Sequence, residues 1–141
     1  MSVLRNKAAI RWDFDEAFEL SGLASPFPRG ISFADVDSET EIHGRFLDIE
    51  GKRDGETLSA GQRYTMDAKV RDGRTCVVVR GIPPHDIHSI QIWPGPVWSA
   101  NLSDFHRLVA KWAQWADQQS QPAAKEDPFV TLLFTRSHPV S

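Results

Sequence analysis

From Leu102 onward the apolar residues of this chain change period, and that change limits the fold more than any other feature. Leu102, Phe105, Leu108, Val109, Trp112 and Ala116 are spaced by three and four, and Trp115 extends the same stripe. Asp104, Arg107, Lys111, Gln114 and Gln118 lie mostly opposite. This pattern predicts an amphipathic helix over Leu102–Gln119 that buries one face against a sheet. Asn101 or Ser103 is a suitable N-cap, and Asp104 suits the positive end of the helix dipole.

The sequence before this helix reads as a succession of strands. Ala8–Phe14 places Ile10, Trp12 and Phe14 on one face at period two. A loop carrying Pro26, Pro28 and Gly30 follows, then Ile31–Phe33, an acidic turn, and an extended stretch over Glu41–Ile49. Gly51–Gly55 reads as a turn. Arg63–Arg71 alternates, with Tyr64, Met66, Ala68 and Val70 inward, and Asp72-Gly73 is a strong hairpin signal. The return strand Arg74–Arg80 holds Cys76-Val77-Val78-Val79, apolar on both faces. Ile87–Trp93 gives another strand, and Phe129–Arg136 a last one after the polar connection Gln121–Asp127. The expectation is an α+β fold: about seven strands, mainly antiparallel, in a barrel or sandwich, with one C-terminal amphipathic helix and a final strand.

At 141 residues the chain has the size of one domain, 1–141. Five Trp and eight Phe are enough to fill a core. Net charge is −3, divided as −5 over residues 1–60 and +2 over 61–141. Without a basic cluster to neutralise phosphates, nucleic-acid binding is excluded as an expectation. The opening residues lack the apolar core of a signal peptide, and no stretch approaches a membrane span. A cytoplasmic location is therefore expected. The single Cys76 cannot pair internally and reads as a buried, inert thiol.

Signatures of known chemistry are missing: there is no phosphate-binding glycine loop, dinucleotide fingerprint, His-Glu-x-x-His or nucleophile elbow. His85, Asp86 and His88 are the candidate metal ligands, provided the backbone there turns; in a regular strand the two imidazoles point to opposite faces. His43 or His106 would be a third ligand. Acidic residues crowd Asp35, Asp37 and Glu39, a face suited to a basic partner. Trp93-Pro94-Gly95-Pro96-Val97-Trp98 sets two tryptophans around a segment that can form neither helix nor ladder. Either both rings tuck under the helix or one stays exposed as a binding anchor.

Gly44-Arg45-Phe46-Leu47-Asp48-Ile49-Glu50, followed by Leu58-Ser59-Ala60-Gly61-Gln62-Arg63-Tyr64, resembles the strand–turn–strand phrase of PilZ domains. Leu102–Leu108 is similar to the helix that closes their barrel. The ligand motifs of that family do not carry over. Arg29 is followed four positions later by Phe33 rather than Arg, and after Asp48 the positions of Ser and Gly hold Glu50 and Arg53. The resemblance implies a barrel that does not take cyclic di-GMP in the family's usual way and serves as a protein-binding adaptor.

The reading that follows is a non-catalytic module, an adaptor, inhibitor or immunity-type protein. It would recognise another protein, one with a basic surface, through Asp35, Asp37, Glu39, Trp93 and Trp98. No cofactor is implied, and an edge strand or the late helix would support a homodimer. The alternatives are a small-ligand-binding barrel with Trp12, Tyr64 and Trp93 at its mouth, or a metal-dependent enzyme using His85 and His88.

Overall fold

The computed structural model describes residues 11–33 and 38–119. The chain is α+β, with a five-stranded sheet and three helices among these residues. In order they are α1 (Phe14–Leu20), β1 (Glu39–Ile42), β2 (Arg45–Arg53), α2 (Ala60–Arg71), β3 (Thr75–Ile82), β4 (Asp86–Ile92), β5 (Val97–Ser99) and α3 (Leu102–Asp117). The strands lie in sequence order, β1-β2-β3-β4-β5. Every pair is antiparallel except β2–β3, which is parallel.

That parallel pair overturns the expected hairpin at Asp72-Gly73. Parallel neighbours need a crossover, and α2 supplies it. Residues 63–71 alternate at period two but fold as a helix, because signals at both ends outweigh the alternation. Ser59 and Gln62 form a reciprocal capping box, each side chain bonded to the other's backbone N–H. At the far end Gly73 adopts φ +91°, its N–H donating to Val70 and that of Arg74 to Lys69. This is the Schellman stop, and its left-handed position favours glycine. The same Asp-Gly pair that suggested a hairpin therefore ends a helix.

The N-terminal strand reading is corrected in the same way. Asp13 caps α1 by accepting from the Glu16 N–H at 3.0 Å, with Asp15 and Glu16 in the first turn. Phe14, Ala17 and Phe18 are buried at helical spacing. Residues 8–10 of that reading lie outside the described residues. The extended stretch from Glu41 is divided by a two-residue hairpin. His43 (φ +52°) and Gly44 (φ +80°) both take left-handed backbone, as a type I′ turn requires. β2 then runs on through Gly51 to Arg53, where a turn was expected.

The sheet is open, not a closed barrel, and five strands rather than about seven are present among the described residues. The final strand read at Phe129–Arg136 lies outside them. β3 shows why the sheet is covered on both sides. Val77 and Val79 enter one core with Phe14, Phe18, Phe105, Val109 and Trp112 under α1 and α3. Cys76 and Val78, on the opposite face by strand alternation, pack with Leu58 and Met66 beneath α2. α3 begins where expected, capped reciprocally by Asn101 and Asp104.

Candidate functional site

The Trp93–Ser99 segment resolves into two different environments. The Trp93 N–H donates to the Cys76 carbonyl at 2.9 Å, and its indole Nε1 donates to Asp67 of α2 at 2.6 Å. Its ring packs beside the Leu58–Met66–Val78 cluster and helps fix α2 to the sheet. The chain then turns, with the Gly95 N–H on the Ile92 carbonyl and Gln91 Nε2 on the Gly95 carbonyl at 2.9 Å. It returns as β5, in which Ile90 faces Trp98 and Gln91 faces Val97.

Among the described residues β5 is an edge of the sheet. Val97 is 54% exposed and Trp98 53%. The Ala100 N–H bonds the His88 carbonyl, so residues 98 and 100 use their backbone groups toward β4. By antiparallel alternation, those of Val97 and Ser99 point out of the sheet. The edge is short and preceded by Pro94 and Pro96, which is how sheets discourage indiscriminate strand addition. Side chains, rather than a long row of free backbone groups, dominate this edge.

Asp35 and Asp37 are outside the described residues. Glu39 is on β1, the opposite edge, four strand spacings or roughly 19 Å from β5. Glu39 and Trp98 therefore do not form one compact patch.

Glu39 also belongs to an ion network that the sequence reading missed. It stands directly across from Asp48, which is buried at 7% exposure, on the face carrying α2. Arg74 Nη1 reaches Glu39 at 2.8 Å and Asp48 at 3.5 Å, and Lys69 Nζ reaches Asp48 at 3.4 Å. The Arg74 guanidinium lies 4.0 Å from the centre of the Phe46 ring. Burial, then the hydrogen bond with Glu39, pushes the Asp48 carboxyl above the usual range. The same hydrogen bond holds Glu39 below it, with Arg74 adding to the effect. Reading residues 63–71 as a strand hid Lys69 from this group.

The histidines also separate. His85 Nε2 lies 3.0 Å from Glu16 of α1. His88 Nδ1 is 2.6 Å from Asp54 and its Nε2 3.1 Å from Asp86. His43 joins Arg29 on Asp117, at 3.4 Å and 2.6 Å, and His106 Nε2 meets the Ala24 carbonyl. Among the described residues no three His, Cys, Asp or Glu side chains are arranged to hold a metal ion. Cys76 is buried at 1% exposure.

The aromatics assigned to a barrel mouth do not meet either. Trp12 stacks on Phe14 and lies against Gly51 on the α1/α3 side of the sheet. Trp93 is on the α2 side, and Tyr64 stands 75% exposed on α2. An open sheet packed on both faces has no barrel lumen for them to line.

No known protein family, curated protein or solved structure matches this chain. Of the two phrases that resemble PilZ domains, Gly44–Glu50 lies in a hairpin, whereas Ser59–Tyr64 is the cap and first turns of α2. No helix among the described residues is long and apolar enough to cross a membrane.

Proposed function

We propose that this chain is a non-catalytic protein-binding module, of the adaptor, inhibitor or immunity type, whose principal contact is the β5 edge. The observation that carries this reading is Trp98, more than half exposed on a strand that is an edge of the sheet among the described residues. Folding leaves this large aromatic side chain half in water, which an interface would desolvate. Tryptophan is enriched among residues that dominate binding energy. Glu39, on the opposite side of the sheet, would be a separate contact for a basic partner wide enough to span it, together with Asp35 and Asp37, its acidic neighbours in the sequence.

The test is capture of partners from native lysate with the tagged chain, followed by affinity measurement on the purified pair. Trp98→Ala should weaken binding by about 30-fold or more, the effect of a hot-spot residue. Unchanged affinity would remove the β5 edge from the interface. Charge reversal at Asp35, Asp37 and Glu39 separately tests the acidic contact, which an unaltered Kd and salt dependence would eliminate.

A further inference from the structure

The β3–β4 ladder changes register between Arg80 and Gly81. Arg80 stands opposite Ser89 and Gly81 opposite Ile87, which leaves His88 as the extra residue of a β-bulge. Glycine at position 81 permits this close approach. A Cβ there would sit 2.0 Å from the Asp86 carbonyl oxygen and 3.1 Å from the His88 nitrogen. Bulges re-aim side chains, and this one leaves His88 exposed at the surface.

There the ring stands between two carboxylates from different segments. Asp54 belongs to the turn between β2 and α2, and its N–H donates to the Gly81 carbonyl at 3.0 Å. Asp86 opens β4. A neutral imidazole has one N–H, whereas the imidazolium has two. With Asp54 at Nδ1 and Asp86 at Nε2, only the protonated ring donates to both. Loss of the proton turns a nitrogen lone pair toward one carboxylate.

We infer that Asp54, His88 and Asp86 form a proton-operated latch, pinning the β2–α2 turn to the start of β4 while His88 is charged and releasing one carboxylate when it is neutral. The latch stands independently of the binding proposal and needs no partner to operate. Asp54 and then Asp86 raise the proton affinity of His88, and these are the charges acting on it among the described residues. The neighbouring His85 faces Glu16, and Arg80 is engaged by the Glu56 carbonyl and Gln91. Because the folded value is raised, the latch's contribution is complete below the ordinary histidine value of about 6.5. It is lost as pH rises through the higher folded value.

An NMR titration of the full chain tests this, with the His88 ring signal assigned by its loss in His88→Gln. The ring should titrate above the ordinary histidine value, and Asp54→Asn and Asp86→Asn should each bring its midpoint down. Backbone amides of Asp54 or Asp86 should shift at the same midpoint, and that transition should vanish in His88→Gln. A wild-type midpoint at or below the ordinary value would overturn the latch. So would a raised midpoint insensitive to both asparagine variants, or amides that do not follow the ring. If a variant misfolds, the wild-type titration still decides the matter, with the His88 ring assigned through its bonds to the His88 backbone amide.

Discussion

Gly51 shows how one missing side chain sets the packing of a large one. A Cβ on this β2 residue would come within 2.1 Å of Trp12 Cδ1, so the indole lies where a side chain would otherwise stand. Gly51→Ala should destabilise the fold by about 1–3 kcal/mol, the usual cost of overpacking, as measured by chemical denaturation. Trp12→Ala in the same background should recover part of that loss, because the collision is specific to the ring. Asp48 gives a residue-scale prediction with a sign. Its folded pKa is raised by burial, so its favourable contribution is full below the ordinary carboxylate value and is lost as pH rises through the folded one. Glu39, held low, works in the opposite direction and loses its contribution as pH falls through its own folded value. Asp48→Asn should remove the loss of stability on raising pH above the carboxylate range. Parallel denaturation curves for wild type and variant across that rise would refute the assignment.

Among the elements, α3 and α2 differ in how openly their sequences declare them. α3 buries Phe105, Val109, Trp112, Ala113 and Ala116, while Leu102, Leu108 and Trp115 flank the core half-buried. The stripe was legible because the helix packs on one side and meets solvent on the other. Trp112 is fully buried, and Trp112→Ala should cost about 3–5 kcal/mol in denaturant unfolding. α2 buries only Met66 fully, so its apolar stripe is thin and the alternation of Tyr64, Met66, Ala68 and Val70 mimics a strand. Its cues lay at the ends: Ser59 three residues before Gln62, and Gly73 just past Arg71. Gly73→Ala should destabilise by about 1 kcal/mol by forcing a Cβ into left-handed backbone, visible as a lowered Tm.

Over the whole molecule, the parallel crossover decides where surfaces fall. β2–α2–β3 places a helix on the second face of the sheet and leaves β1 and β5 as opposite edges among the described residues. Trp98 is thereby exposed while Trp93 is anchored to Asp67. Because Trp98 is half exposed while Trp112 is fully buried, Trp98→Ala should cost much less folding stability than Trp112→Ala while weakening partner capture. A large loss of stability would instead mark Trp98 as a structural residue.

The sequence by itself determined what short-range periodicity and local chemistry can encode. The α3 stripe, the doubly apolar Cys76–Val79 strand, the strand before Trp93 and the α+β class all follow from side chains repeating at 3.6 or 2 residues. His85, Asp86 and His88 were visible as a group, since they are neighbours in the chain. Tertiary structure alone decided the strand order, the open sheet in place of a barrel, and the partners of each charge. Lys69 meets Asp48, and Asp54 meets His88, across separations in sequence that no local pattern records. Asp72-Gly73 fits either a hairpin or a helix stop, since both need left-handed backbone at glycine. The parallel pairing of β2 with β3 selects the second.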